Sequence, residues 1–174
     1  MQKPPKILPA DGKLGILTPG IGAVATTMFA GVEAIRQDIA KPLGSMVLMG
    51  KMRLGKRNQN RIADINSFLP FATTNQIVFG GWDIFTDNAY ESAKKAKVIE
   101  DALLEKVRPC LEKIKPMPAV FDPEYVKKIS GPNVKKGKSK MDLANQLRED
   151  IKKFVRDNNL SRVVIVWCAS TESY

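Results

Sequence analysis

Histidine is absent from this sequence of 174 residues, and cysteine occurs only twice. Without an imidazole, the chain cannot supply a Ser-His-Asp or Cys-His nucleophile system, an HExxH zinc site or a histidine general base. Cys110 and Cys168 are far apart and match no metal-ligand spacing. We therefore expect free thiols, no metal site and a reducing, cytoplasmic environment.

Long apolar runs are also missing. No stretch of about 18 apolar residues is present, which argues against a membrane span, and no leader with a cleavage-like site precedes the rest. The length predicts one domain. Lysine and arginine number 28 against 18 acidic residues, a net charge of +10. This excess predicts an anionic partner: a phosphorylated small molecule, a nucleotide or, less favoured because aromatics do not interleave the basic segments, nucleic acid.

Glycine marks the most informative motif. Residues 13–25 read Lys-Leu-Gly-Ile-Leu-Thr-Pro-Gly-Ile-Gly-Ala-Val-Ala, which predicts a strand at 14–17, the turn Gly20-x-Gly22-x-x-Ala25 and a helix over 23–39. In dinucleotide folds the first glycine permits a tight turn and the second lets the backbone approach a pyrophosphate at the helix N-terminus. The motif therefore predicts a nucleotide site, the alternative being an ordinary β-to-α turn.

Strand-like and helix-like segments alternate along the rest of the chain. The patterns predict strands at 44–49, 76–79 and 163–167, and helices at 62–69, 88–111 and 141–158. The β-branched run at 163–167 is typical of a strand buried on both faces of a parallel sheet. The alternation predicts an open α/β fold, a Rossmann-like parallel sheet with helices on both faces. So few strands can be counted that the fold looks incomplete at Tyr174.

Ligands of open α/β sheets bind outside the carboxyl ends of the strands, so we expect residues 20–25, 80–83 and 168–171 to converge on one crevice. The acid that usually follows the glycines by about 20 residues is missing. Asp83 could contact the ribose instead, or it could cap a turn. Alternatively, Lys51 or Arg53 could receive a 2′-phosphate, which leaves NAD and NADP equally open.

Other conspicuous residues have ordinary structural interpretations. Trp82 follows one predicted strand and Trp167 ends another, and both are expected in the core. Cys168 has no identifiable activating partner and is not expected to be a nucleophile. The basic segments 50–61 and 127–140 are predicted to be solvated loops, with attraction of an anion or phosphate as the alternative.

Four motifs occurring in order resemble the myo-inositol-1-phosphate synthase family, in its bacterial form. They span nearly the whole chain: residues 13–27, Met-Arg-Leu-Gly-Lys-Arg at 52–57, Phe-Gly-Gly-Trp-Asp-Ile at 79–84 with Asn88-Ala-Tyr90, and Val-Trp-Cys-Ala-Ser-Thr-Glu at 166–172. The asparagine-rich glycine loop of other members is absent here.

The resemblance implies an NAD-dependent isomerase that converts glucose 6-phosphate to inositol 1-phosphate, also numbered 3-phosphate. The reaction proceeds by internal oxidation, aldol cyclisation and reduction. In the full-length form it implies a homo-oligomer, a tetramer. The family's catalytic lysines lie in a later domain, so no catalytic residue is carried over. This chain would be the N-terminal NAD-binding portion, an extended arm at 1–12 and a domain at 13–174.

The resemblance also implies the cofactor contacts, and through Asp83 on the adenosine ribose it favours NAD. The positions that match are Gly20, Gly22 and Ala23 at the pyrophosphate, Ile21 as a further cofactor contact, Asp83 at the ribose, Ala119 and Val120 by backbone, and Cys168, Ala169, Ser170 and Thr171 along the crevice wall. Cys168 and Ser170 differ from the family pattern, as do Ile129, Ser130 and Asn133. The alternative function is a stand-alone nucleotide-binding module without catalysis.

Overall fold

A parallel sheet flanked by helices organises the computed structural model, which describes residues 11–169. The proposed arm at 1–12 therefore lies almost entirely outside the described residues. In chain order the elements are β1 (Lys13–Pro19), α1 (Ala23–Arg36), α2 (Met46–Met49), β2 (Lys51–Arg53), β3 (Ile62–Asp64), β4 (Ile77–Asp83), α3 (Ala89–Ala96), α4 (Asp101–Leu111), β5 (Met117–Pro118), α5 (Lys140–Asn158) and β6 (Leu160–Ile165).

The main sheet has the strand order β5-β4-β1-β6, and all its pairings are parallel. Ile16 in the central strand lies opposite Phe79 on one side and Val164 on the other. The chain builds outward from β1 through β4 to β5, then returns to add β6 on the opposite side of β1. The switch point therefore lies between β1 and β6, where open α/β sheets bind ligands. The predicted Rossmann-like sheet is confirmed.

Helices cover both faces of this sheet, as predicted. On one face α1 contacts α3 and α4, and the rings of Phe29 and Phe79 lie 4.5 Å apart between α1 and the sheet. On the other face, the Phe154 ring of α5 lies over the sheet. A Cβ at Gly15 or Gly80 would approach this ring to 3.0 or 2.7 Å, so these two glycines make room for α5.

The hydrophobic core lies between the sheet and the layer formed by α1, α3 and α4. Buried side chains of α1 recur at helical spacing, and the core cluster comprises Ile21, Ala25, Phe29, Ala30, Ala34, Phe79, Ala89, Tyr90, Ala93, Leu104, Val107 and Leu111. The guanidinium of Arg36 at the end of α1 donates to the carbonyls of Thr74 and Ile77. This residue thereby joins the C-terminus of α1 to the start of β4.

The helical region predicted in broken form at 88–111 consists of two helices, α3 and α4. Asn88 caps α3, since its side chain accepts from the Glu91 N–H at 2.9 Å and the Glu91 carboxylate accepts from the Asn88 N–H at 2.9 Å. Lys97, with φ 54°, ends α3 in the left-handed region. The predicted stop after α5 is confirmed at Asn159, with φ 51°.

The segment between α1 and β4, residues 37–76, is called the excursion, and here two predictions are wrong. The strand predicted at 44–49 is the short helix α2, because the Ser45 hydroxyl caps it by accepting from the Leu48 N–H at 3.3 Å. The helix predicted at 62–69 begins as β3, which pairs antiparallel with β2. Left-handed residues at Gly55 and Asn60 bring the two strands together, a pairing that neither segment encodes alone.

The prediction that 163–167 is buried on both faces is also wrong. Val164 and Ile165 remain 49% and 52% exposed, because β6 has only β1 as a neighbour within residues 11–169. Trp82 is 5% exposed, as expected of a core residue, whereas Trp167 is 73% exposed and contradicts that expectation. Trp82 lies in β4 between two neighbouring strands, whereas Trp167 follows the end of the edge strand β6, a difference that residue type does not encode.

Candidate nucleotide-binding site

The glycine-rich turn after β1 is enclosed by the ends of its two neighbouring strands. Gly20 has φ 87°, and its N–H donates to the Trp82 carbonyl at 2.8 Å. A Cβ at Gly20 would lie 2.7 Å from Ala169 Cα and 2.8 Å from Ala169 N. Position 20 therefore admits only glycine, for reasons internal to the protein. The predicted convergence is confirmed for these residues, while Ser170 and Thr171 lie outside the described residues.

The second glycine has the opposite environment. Gly22 has φ −90°, which any residue can adopt, and a Cβ there would meet no atom within 4 Å. The fold itself therefore does not require glycine at position 22. Open space over an exposed backbone at this position is what the close approach of a pyrophosphate needs.

The N-terminus of α1 begins at this open position. Gly22 is the N-cap, no side chain caps the helix, and its first turn contains no acidic residue. Ala23 and Val24 are exposed. The first N–H groups of a helix have no acceptor within the helix, and the helix dipole favours an anion beside them. The residues present thus fit the diphosphate of a dinucleotide.

Asp83, at the end of β4, holds the glycine-rich turn. Its Oδ2 accepts from the Ile21 N–H at 2.6 Å, and its Oδ1 accepts from the Phe85 N–H at 3.0 Å. Asp83 therefore caps the turn, which is one of the two roles that the sequence predicted for it. A carboxylate has about four acceptor positions, so the two ribose hydroxyls can still donate to it.

Ile21 shapes the turn from within. Its side chain is 1% exposed in the core, its N–H is bound by Asp83, and its carbonyl accepts from the Ser92 hydroxyl. Both of its backbone groups already have partners, so the N–H groups of the turn that remain for hydrogen bonds to a ligand are those of Gly22 and Ala23.

The segment after β5 is held by Asn133, a position at which the sequence differs from the pattern of the family it resembles. Ala119 donates its N–H to the Asn133 carbonyl at 2.9 Å. The Asn133 side chain donates in turn to the Asp83 carbonyl at 2.9 Å. Val120 follows, 39% exposed. The Gly131-Pro132-Asn133 turn sequence was the available signal that the chain returns here.

Lys51 and Arg53, considered for a 2′-phosphate, belong to the hairpin of the excursion. Together with Arg57, Asn60 and Ile62 they line an open cleft of about 480 Å³. The excursion begins at the end of α1 and joins the sheet at the amino end of β4, the edge opposite the glycine-rich turn. Within residues 11–169, no hydrogen bond or ion pair joins either cation to Asp83 or to that turn.

Cys168 lies beside the crevice, where its N–H donates to the Pro19 carbonyl at 3.0 Å. Its side chain packs against the core, and this burial raises the pKa of the thiol. A protonated thiol is a poor nucleophile, in agreement with the expectation from sequence. Among the described residues, no three cysteine or acidic side chains cluster as metal ligands would, and no helix there is both long and apolar enough to cross a bilayer.

Comparison with known proteins identifies the family to which this chain belongs. A model for NAD binding, described as myo-inositol-1-phosphate synthase, matches residues 14–174. The chain belongs to the myo-inositol-1-phosphate synthase family. Its cofactor is accordingly NAD, which agrees with the prediction that followed from the resemblance.

Individual members of the myo-inositol-1-phosphate synthase family agree with this assignment. Inositol-3-phosphate synthase 1 of Bacteroides thetaiotaomicron is 46% identical over 170 residues, covering 97% of this chain and 39% of the relative. A probable inositol 3-phosphate synthase isozyme 3 of Arabidopsis thaliana is 35% identical, covering 93% and 34%. The crystal structure of inositol-3-phosphate synthase from Caenorhabditis elegans superposes with a TM-score of 0.82 at 28% identity, covering 92% and 35%. The chain thus spans about a third of the length of the relatives it matches.

Proposed function

We propose that this chain supplies the NAD-binding portion of an enzyme that converts D-glucose 6-phosphate to 1D-myo-inositol 3-phosphate. The observation that carries the proposal is the contrast between the two glycines of the turn. Gly20 is required by its contact with Ala169, whereas Gly22 faces open space at an uncapped helix N-terminus. Family membership and the names of the relatives supply the reaction.

In the proposed arrangement, different parts of NAD contact the carboxyl ends of four strands. The diphosphate lies over the turn and the start of α1, the adenosine ribose donates to Asp83, and backbone after β5 and β6 completes the crevice. The proposed contact residues are Gly20, Ile21, Gly22, Ala23, Asp83, Ala119, Val120, Cys168, Ala169, Ser170 and Thr171. The corresponding domain is 13–174, preceded by an arm at 1–12.

When bound, NAD supplies a hydride acceptor and then a hydride donor, so that the overall reaction is redox-neutral. The residues of this chain hold the cofactor and orient it. Asp83 fixes the glycine-rich turn through the Ile21 N–H, and the first turn of α1 offers N–H groups to the diphosphate. We assign no catalytic acid, base or nucleophile to this chain.

We further propose that the complete enzyme works in the cytoplasm as a homo-oligomer, a tetramer, on a phosphorylated sugar. The net charge of +10 suits an anionic substrate and an anionic cofactor. The two free cysteines, Cys110 and Cys168, suit a reducing compartment.

Calorimetric titration of the 174-residue chain with NAD and with NADP tests the binding role. We expect NAD to bind more tightly, because the Asp83 carboxylate would repel a 2′-phosphate. The Gly22→Val variant should still fold, because no atom lies within 4 Å of the added Cβ, and should lose NAD binding, since the added side chain fills the open space. Asp83→Ala should weaken NAD binding and reduce the preference over NADP.

The matched control is Gly31→Ala, another glycine of the same region with open space around it. In the interior of α1 this change should stabilise the fold by about 0.5–1 kcal/mol and leave NAD binding intact. Equal NAD affinity in wild type and Gly22→Val would contradict the proposed site. The chain alone should form no inositol phosphate, and robust turnover would contradict the absence of catalytic groups.

A further inference from the structure

A shielded ion pair lies beneath the carboxyl end of β4, outside the proposed cofactor contacts. Asp150 on α5 accepts from the Trp82 indole N–H at 2.8 Å, and the Lys135 ammonium contacts the same carboxylate oxygen at 2.9 Å. The side chains of Lys135 and Asp150 are only 10% and 20% exposed. The neighbouring lysines of the 127–140 segment are exposed by contrast: Lys127, Lys128, Lys136, Lys138 and Lys140.

An ion pair that is shielded from solvent to this extent contributes to stability differently from an exposed ion pair. Removing one partner leaves the other desolvated without compensation, which costs more than the loss of an exposed pair. Asp150 also lies on the face of α5 that carries Leu143, Leu147 and Phe154, where an apolar residue is expected. Asp150 is therefore a carboxylate at a position where the pattern of the helix predicts an apolar side chain.

Through Trp82, the pair reaches the glycine-rich turn. The Trp82 indole is fixed by Asp150, and the Trp82 carbonyl accepts the Gly20 N–H at 2.8 Å. The next residue is Asp83, whose carboxylate holds the Ile21 N–H. A shift of the indole would therefore move both backbone positions that support the turn.

Through Lys135, the pair reaches the segment after β5. Residues 131–135, here called the strap, run beside the ends of β4 and β5. Lys135 donates its N–H to the Ala119 carbonyl at 2.8 Å, and Asn133 donates its N–H to the Ile84 carbonyl at 2.8 Å. The strap comes so close that a Cβ at Gly131 would lie 2.2 Å from the Ile84 carbonyl oxygen. Because β5 contains only two residues, the hydrogen bonds of the strap hold much of this edge of the sheet in place.

We propose that the Lys135–Asp150 pair positions the adenosine half of the NAD site. The pair joins α5 to Trp82 on one side and to the strap on the other, and so holds Asp83 and Ala119 at a fixed separation. Neither Lys135 nor Asp150 is among the proposed cofactor contacts, so we assign both as positioning residues. A rigid, prearranged site binds more tightly because less order must be imposed on binding. This inference rests on the proposed function.

The test compares Asp150→Asn and Lys135→Met with a matched pair on the same helix. Glu149→Gln and Lys152→Met break the Lys152–Glu149 contact of 2.8 Å, whose side chains are 68% and 69% exposed, respectively. Affinities for NAD and for ADP-ribose, which lacks nicotinamide, are measured well below the melting temperature of each variant. We expect both affinities to fall about tenfold, by a common factor, in the Lys135 and Asp150 variants, and to stay unchanged in the controls.

Two further measurements separate positioning from a loss of stability. Lys135→Arg, which restores the charge, should recover ligand affinity. In a Trp167→Phe background, the fluorescence of Trp82 reports its environment and should change in Asp150→Asn but not in Glu149→Gln. If Asp150→Asn does not fold, Lys135→Met and Lys135→Arg provide the comparison, since both keep the indole hydrogen bond.

The outcomes distinguish this inference from the proposed function. Folded Lys135→Met that binds ADP-ribose as tightly as wild type would overturn the inference and leave the NAD site standing. A reduced affinity for NAD with an unchanged affinity for ADP-ribose would also overturn it, because the effect would lie at the nicotinamide end. Wild-type chain that binds neither ligand would overturn the proposed function and this inference together.

Discussion

The carboxyl edge of the sheet and the excursion contain glycines with nearly the same backbone angle in opposite surroundings. Gly20 has φ 87° and lies against Ala169, whereas Gly44 in the excursion has φ 83° with no atom within 4 Å of a Cβ. No residue of 37–76, all of which the structure describes, is buried. Backbone conformation alone therefore does not make a residue indispensable. The packing around it does.

The excursion is nonetheless rich in apolar side chains. Its large hydrophobic residues that remain exposed are Ile39, Leu43, Met46, Leu48, Met49, Met52, Ile62, Phe68, Leu69 and Phe71. The sheet and its helices bury residues of the same types. The contribution of packing to stability can be compared between the two regions with one phenylalanine and one glycine from each.

The largest difference is expected between Phe29→Ala and Phe71→Ala. Phe29 is fully buried against Phe79, whereas Phe71 is 48% exposed. The first substitution should lower the free energy of unfolding by about 3–5 kcal/mol through lost burial and a cavity. The second should cost less than about 1.5 kcal/mol. Urea unfolding of the two variants measures both, and equal losses would show that the excursion packs as tightly as the core.

A smaller difference is expected between Gly20→Ala and Gly44→Ala. Both substitutions place alanine in the left-handed region, at a cost of about 1–2 kcal/mol. At position 20 the Cβ must also displace the Ala169 backbone. Gly20→Ala should therefore lose more stability and, in addition, NAD binding, while Gly44→Ala should keep it. Thermal unfolding and NAD titration are the measurements, and intact NAD binding in Gly20→Ala would contradict the rigid turn.

The smallest expected effect concerns the contact between α3 and α4. The Tyr90 hydroxyl donates to the Glu105 carboxylate. This hydrogen bond lowers the pKa of Glu105 below its ordinary value of 4.5 and raises the pKa of Tyr90 above its ordinary value of 10.0. A depressed carboxyl pKa contributes stability above pH 4.5 that is lost as pH falls through the folded value. A raised tyrosine pKa contributes stability below pH 10.0 that is lost as pH rises.

Tyr90→Phe should accordingly reduce the free energy of unfolding most between pH 4.5 and pH 10.0. The difference from wild type should shrink toward acid and toward alkali. Tyr125→Phe, at a side chain that is 74% exposed, is the control and should show no such profile. Unfolding measured across pH checks both variants, and a flat difference for Tyr90→Phe would show that this hydrogen bond does not couple folding to protonation.

Sequence patterns predicted the elements whose environment they encode. The apolar and glycine pattern at 13–25 located β1, the turn and α1, because burial and turn geometry act on those residues directly. The capping box at Asn88 was predicted for the same local reason. The excursion was mispredicted because a run as short as Met46–Met49 suits a helix or a strand equally, and the Ser45 cap decides between them.

The site was predicted in part. Asp83 was identified from its place after two glycines, and its hydrogen bond to the Ile21 N–H accounts for that position. Asn133 and Asp150 were not identified, because their partners lie 50 and 68 residues away in the chain. Trp167 and Trp82 both lie beside strands in the sequence, and only the fold separates them, since Trp82 belongs to the inner strand β4 and Trp167 follows the edge strand β6.

By itself, the sequence determined the α/β class, the glycine-rich turn and the family, and it predicted an anionic partner, because those depend on local conformation, residue spacing and summed charge. Only the tertiary structure decided that Gly20 is required by Ala169 and that Gly22 is left open to a ligand. It also decided that one lysine of a basic segment is shielded beside Asp150. Such distinctions arise from contacts between segments distant in the chain, and no local pattern carries them.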